Sequence, residues 1–175
     1  LNRSREYIDG VADAKFEAQR FTELAHEHGI PKTGAKELGL TDPVIRGRRL
    51  FKTNCAACHS YLDENGVGIR AKDQSAPNLY GFASRGWLTK LLDTKHFSSD
   101  EYFGKTKHRA GDMATFVKDD LPKTKKSKDS DGSHLEALII ALSAEAKRGD
   151  QKELDEKARS NGTIAKGKAA FALYE

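Results

Sequence analysis

The sequence has few of the residues that define several common kinds of protein. Its 175 residues include two cysteines, one methionine, one tryptophan and four prolines. Two cysteines make a poor disulfide framework. No run of eighteen apolar residues exists, so no segment of this chain is expected to span a membrane. Runs in which β-branched and polar residues alternate are also missing. Signals for β-strands are therefore weak along the whole sequence.

The composition leaves little material for an apolar core. Hydrophobic residues make up 37% of the chain and charged residues 32%, and the mean hydropathy is −0.69. A buried prosthetic group would relieve that shortage. The net charge of +4 comes from 30 basic and 26 acidic residues, which are interspersed along the chain. This balance gives no indication of a nucleic-acid partner.

Apolar residues at steps of three and four predict two helices before the cysteines. The first covers about 6–28 and ends at Gly29. A turn-rich link follows, and the second helix covers about 43–53, with Thr41 or Asp42 as its cap. Its inward-facing residues are expected to be Val44, Leu50 and Phe51.

The second half of the chain alternates helical and polar segments. Ser84 is a suitable cap for a short helix that contains Trp87. The polar stretch that follows contains Met113 and is predicted to be irregular. Residues 118–132 are rich in lysine and are predicted to form a solvated loop. A strongly apolar helix is then predicted over about 133–147.

Both cysteines belong to the motif Cys55-Ala56-Ala57-Cys58-His59. Two thiols at this spacing, followed at once by an imidazole, suit covalent attachment of haem c with His59 as the proximal iron ligand. A structural zinc site needs four ligands, and no second pair of this kind is present. A thioredoxin-like dithiol would follow a strand, whereas helix precedes this one. A plain disulfide remains an alternative.

A six-coordinate haem needs a second axial ligand. Met113 is the only methionine, and it lies downstream of the motif in the stretch "GDMATF" rather than on an amphipathic helix. A thioether in such a position is a good candidate for the second iron bond. His108 and His96 are the alternatives, and both lie in polar sequence.

Taken together, these residues resemble class I c-type cytochromes over about 43–147. The elements occur in the order typical of the family: "GRRLF", "CAACH", "APNLYG", the helix with Trp87, Met113 and a closing apolar helix. The resemblance implies an all-α class I cytochrome c fold around one haem c bound through Cys55 and Cys58. An N-terminal amphipathic helix and a C-terminal helical extension would be additions. The first and last helices of this fold would cross near Gly47.

The resemblance also implies roles for the residues that follow the motif. The carbonyl of Pro77 would accept a hydrogen bond from His59. Trp87 or Tyr80 would donate to a haem propionate, and Arg85 would pair with one. Each has a simpler interpretation, as a turn residue, a core residue or an exposed charge.

More narrowly, the chain looks like the cytochrome c domains fused to or associated with cytochrome b subunits of bacterial quinol-oxidising complexes. This implies a one-electron carrier rather than an enzyme, with partners of the cytochrome b and Rieske type, in the periplasm or an equivalent compartment. Any signal peptide or membrane anchor would lie outside this chain. The alternative is a haem c enzyme or a gas or peroxide sensor whose distal position is open.

Three segments are expected along the chain: an N-terminal helix and linker over 1–42, the haem domain over 43–148 and an extension over 149–175. The extension repeats an earlier pattern, because "GKAAF" at Gly167 resembles "GRRLF" at Gly47. It is either the start of a second cytochrome c unit or a simple amphipathic tail helix.

Overall fold

The computed structural model describes residues 4–174. In this part of the chain the α-helices are α1 (Arg5–His28), α2 (Lys36–Thr41), α3 (Pro43–Asn54), α4 (Arg85–Leu91), α5 (Thr94–Phe97), α6 (Asp112–Thr115), α7 (Leu121–Lys128), α8 (Ser133–Glu145), α9 (Lys152–Ser160) and α10 (Thr163–Ala170). A π-helical turn covers Phe116–Asp120, and 3-10 turns cover Gly149–Gln151 and Phe171–Leu173. The strands are β1 (Tyr61–Leu62) and β2 (Gly68–Ile69).

The expected all-α fold class is confirmed, because the two strands form only one short antiparallel hairpin. None of the helices in residues 4–174 is long and apolar enough to cross a membrane. The chain divides into two compact units after Gln74. Each unit has a core of its own.

The first unit is built on α1, α2 and α3. Leu24, Leu38 and Ile45 form its buried cluster. The Asp42 carboxylate caps α3 by accepting from the Ile45 N–H at 2.8 Å, and Pro43 occupies the first turn, as the sequence predicts. Arg20 donates to the same carboxylate at 2.7 Å and so joins α1 to α3.

Two sequence predictions for this unit are wrong. The link after α1 contains a helix, α2, because the burial of Leu38 against Leu24 and Ile45 stabilises an ordered helical turn. The buried residue of α3 is Ile45, with no exposed surface, whereas Val44 and Leu50 are 46% and 58% exposed. The periodicity identified the helix, and the position of α1 decided which side is buried.

The second unit is built around α8. Seven of the thirteen residues of α8 are buried, on more than one side of the helix. Leu135, Leu138 and Ile139 pack with Leu121. Another side of α8 packs against α9 and α10, in the cluster of Ala141, Ala144, Ala158 and Ile164.

The polar segments of this unit are more ordered than the sequence predicts. Residues 121–128 form α7 rather than a loop, because Leu121 is 3% exposed and anchors a helix whose lysines face solvent. The stretch around Met113 is also helical, in α6 and the π-helical turn. Ala114 and Val117 are buried there beside Phe97. The burial of these two side chains stabilises a helix in spite of the polar composition of the segment.

Gly167 permits a close approach of two helices, and the crossing of helices expected near Gly47 stays a prediction. A Cβ atom built on Gly167 would collide with the Ala137 carbonyl oxygen and lie 2.8 Å from the Ala141 Cβ, both on α8. A Cβ atom built on Gly47 would meet no described atom within 4 Å outside its own helix. The missing side chain of Gly167 lets α10 pack closely against α8.

Candidate functional site

The two cysteines lie in a helical turn that continues α3. The Ala56 N–H donates to the Phe51 carbonyl at 2.9 Å. The N–H groups of Cys58 and His59 both donate to the Cys55 carbonyl, at 3.1 and 2.9 Å. This turn fixes the backbone of all three motif residues and leaves their side chains outside the helical hydrogen bonding.

The same turn is held from the other side by the segment after β2. The Lys72 N–H donates to the Ala56 carbonyl at 2.9 Å, and the Asp73 N–H donates to the Ala57 carbonyl at 3.1 Å. Ser60 is fully buried, and its hydroxyl accepts from the Ala71 N–H at 3.0 Å. Sequence analysis missed Ser60, since a lone serine after the motif carries no distinguishing pattern.

Both thiols are free, with Cys55 half-buried and Cys58 exposed. The disulfide alternative therefore has no support. Among residues 4–174 the only group of three metal-type ligands is Asp129, Asp131 and His134. No third ligand joins the two cysteines, so a zinc site has no support either. Two free thiols on a fixed turn, one of them exposed, fit thioether bonds to a haem.

The segment that contains Pro77 and Tyr80 is tied to α4 within the second unit. The indole N–H of Trp87 donates to the Asn78 carbonyl at 3.0 Å, and the Asn78 N–H donates to the Glu101 carbonyl at 2.7 Å. Tyr80 is 44% exposed. The indole N–H of Trp87 thus donates to the backbone of this segment. A contact of Trp87 or Tyr80 with a haem propionate stays a prediction.

Tyr102 adds a second connection to α4. It is 3% exposed, and its hydroxyl donates to the Trp87 carbonyl at 3.0 Å. Burial, with a smaller contribution from the charge of Glu101, raises the pKa of Tyr102 to about 12. The phenol is therefore neutral at ordinary pH and serves as a hydrogen-bond donor.

Arg85 lies at the start of α4, directly after its Ser84 cap. Its Nη2 donates to the Asp155 carboxylate at 2.8 Å. Its Nε is buried and has no acceptor among residues 4–174. A buried donor without a partner is rare and costly. An additional carboxylate, such as a haem propionate, is an acceptor of the kind that this group requires.

Met113 lies in the first turn of α6 and is 39% exposed. Its thioether is therefore accessible. Among the alternatives, His108 is exposed, and His96 has its Nδ1 2.6 Å from the Asp93 carboxylate. One ring nitrogen of His96 is thus already committed. Met113 stays the predicted second ligand of the iron.

Asp129 has a structural role that sequence analysis missed. One carboxylate oxygen accepts from the His134 N–H at 2.9 Å, and the other from the Leu135 N–H and the Tyr174 hydroxyl at 2.8 Å. Burial alone would raise its pKa, but these hydrogen bonds outweigh burial and hold the pKa well below the usual range. The carboxylate caps α8, and its lone pairs are already engaged.

Comparison with known families agrees with the geometry of the motif. Residues 44–129, just under half of the chain, match the family model for cytochrome c. No curated protein and no solved structure shows significant similarity to the chain. The match supports a cytochrome c domain in this region. Such a domain implies covalently bound haem c, and Cys55 and Cys58 stand at the expected attachment positions.

Proposed function

We propose that this chain is a one-electron carrier in which His59 and Met113 ligate the iron of haem c. The observation that supports this most strongly is the fixed turn with two free thiols inside a region that matches cytochrome c. The haem supplies the chemistry by alternating between ferric and ferrous iron. The protein sets the reduction potential and the access to the iron.

The proposed residues act by binding and orienting. Cys55 and Cys58 form the thioether bonds, and the hydrogen bonds to Ala56 and Ala57 hold the turn that carries His59. The Pro77 carbonyl is the proposed acceptor for the other nitrogen of the His59 ring. A thioether from Met113 favours ferrous iron relative to a second imidazole, which places the potential towards the higher end for haem proteins.

The ligand assignment is tested by Met113→Ala in the haem-loaded protein, with His96→Ala and His108→Ala as matched controls. We expect only Met113→Ala to remove the weak far-red absorption typical of ferric haem with a thioether ligand, and to open the iron to carbon monoxide. An unchanged Met113→Ala spectrum would reject this methionine. Rapid carbon monoxide binding by the unmodified protein would favour the enzyme or sensor alternative.

The setting of this carrier is also a proposal. Covalent haem attachment takes place outside the cytoplasm, which supports a periplasmic or equivalent location. We propose that the chain belongs to a membrane quinol-oxidising complex with cytochrome b and Rieske-type subunits. Purification of the tagged chain from native membranes tests this. We expect b-type haem absorption in the isolated complex, and its absence would contradict the assignment.

The three-segment division of the chain, at 42 and 148, is proposed as well, with 149–175 as the start of a second cytochrome c unit. The repeated pattern supports this, because Gly167 and Gly47 each precede a phenylalanine by four residues. The haem content of the native protein is the test. Two haems are expected in a native protein that contains the whole of the second unit, and one haem would favour a tail helix.

A further inference from the structure

The turn that precedes α4 is held by side chains that lie far ahead in the sequence. The Ser143 hydroxyl, fully buried on α8, donates to the Ala83 carbonyl at 2.9 Å. Gln151 donates to that hydroxyl at 2.7 Å through Nε2, and its Oε1 accepts from the Arg85 N–H at 3.1 Å. Gln151 is 8% exposed.

The Arg85 side chain is fixed by the same extension. Its Nη2 pairs with Asp155 of α9 at 2.8 Å, and Asp155 is 6% exposed. A second guanidinium, that of Arg148, donates to the Phe82 carbonyl at 2.8 Å. Residues 148–155 therefore contact the turn and the start of α4 at positions 82, 83 and 85, and the contact with position 83 passes through Ser143.

Local preference alone does not hold this turn. Ala83 has a φ of 59°, a left-handed conformation that residues other than glycine rarely adopt. The hydrogen bonds around it also have a fixed direction. A serine hydroxyl has one proton, which Ser143 gives to Ala83, so Gln151 must be the donor in its contact with Ser143. Removing one of these buried donors or acceptors leaves its hydrogen-bond partner unsatisfied, which costs free energy of folding.

We propose that Gln151 and Asp155 are positioning residues through which the extension after α8 sets the reduction potential of the haem. The inference rests on the proposed function, because the turn continues the segment of Pro77 and Tyr80 and carries Arg85. Gln151 fixes the backbone of the turn. Asp155 fixes the Arg85 guanidinium and balances its charge.

The expected direction follows from that charge. Asp155→Asn keeps the shape of the side chain but leaves the Arg85 guanidinium without its counter-charge. An unbalanced positive charge disfavours ferric iron, which carries one more positive charge than ferrous iron. The variant is therefore expected to have a several-fold higher ratio of reduced to oxidised haem at a fixed solution potential. Adding Arg85→Gln to this variant should return the ratio towards the original.

The experiment uses the haem-loaded protein and two readouts. Asp155→Asn and Gln151→Leu are compared with Glu156→Gln, which removes a carboxylate charge from the exposed part of α9. Redox titration should show a shift for the first two variants and none for the control. Hydrogen exchange of residues 81–88 should become about 10-fold faster or more in Gln151→Leu, which loses one buried and one partly buried hydrogen bond.

The outcomes separate positioning from simple support of the fold. Faster exchange with potentials equal to that of Glu156→Gln would overturn the inference and leave the proposed carrier function intact. Shifted potentials in a protein without the thioether absorption would support the inference while rejecting Met113 as ligand. If Gln151→Leu does not accumulate, Gln151→Glu tests the same contact, since an ionised carboxylate of the same size cannot donate to Ser143.

Discussion

The two glycines of the repeated pattern are expected to respond in opposite ways to the same substitution. Gly47 of α3 and Gly167 of α10 are both interior helix positions, and each is followed four residues later by phenylalanine. Replacing glycine by alanine in an exposed helix interior stabilises by about 0.5–1 kcal/mol, because the backbone of the unfolded state loses freedom. A change in the free energy of unfolding that differs from this value reports the contacts that the new methyl group makes with its surroundings.

At Gly47 the new methyl group would meet no described atom within 4 Å beyond its own helix. Gly47→Ala should therefore raise the free energy of unfolding by about 0.5–1 kcal/mol. At Gly167 the methyl group would collide with backbone atoms of Ala137, which cannot move unless α8 moves. Overpacking of this kind costs about 1–3 kcal/mol. After the helix gain is subtracted, Gly167→Ala should lose about 2 kcal/mol at the upper end of that range.

The assay is urea unfolding of the haem-loaded protein, followed by far-ultraviolet circular dichroism. Gly10→Ala is the control, because Gly10 lies within α1 and also has open space around its Cβ position. It should match Gly47→Ala. In a parallel thermal melt of a protein of this size, a loss of about 2 kcal/mol lowers the melting temperature by about 4–8 °C. A destabilised Gly47→Ala, or a Gly167→Ala as stable as the original, would refute the reasoning.

Substitutions at three further residues test other buried contacts. Asp42→Ala should destabilise by about 1–2 kcal/mol in thermal melts, since it removes the cap on the Ile45 N–H, while Asp42→Asn should keep most of the capping. The pKa of Asp129 is lowered in the folded state, so its stabilisation is present above its unfolded pKa of 3.8 and is lost as pH falls below that value. Asp129→Asn should therefore flatten the fall in melting temperature on acidification, and an unchanged slope would contradict the assignment. Tyr102→Phe leaves the Trp87 carbonyl without its donor and should destabilise by about 1 kcal/mol at neutral pH. Because the pKa of Tyr102 is raised to about 12, its stabilising effect is lost as pH rises above 10, and the two proteins should differ less there.

Local chemistry made several features predictable from sequence. The helix over Arg5–His28, the Asp42 cap with Pro43, the Ser84 cap and the apolar helix from Ser133 depend on residue types at fixed spacing, and all are present. The spacing of Cys55, Cys58 and His59 specifies its chemistry in the same way. Each of these signals lies within a few residues of chain.

Contacts between distant residues decided the rest. Ile45 rather than Val44 or Leu50 is buried in α3 because α1 and α2 cover that side. The lysine-rich segment is helical because Leu121 reaches the cluster around Leu135, a partner that its own composition does not reveal.

The sequence by itself determined that this protein is helical and that two thiols and an imidazole stand at the spacing of haem c attachment, since both follow from short-range pattern. Only the tertiary structure decided that Gly167 lies against α8 and which residues hold the turn before α4. Gln151 and Asp155 lie 66 and 70 residues from their partner Arg85. A contact between residues so far apart in the sequence depends on how the helices pack, and no local pattern encodes it.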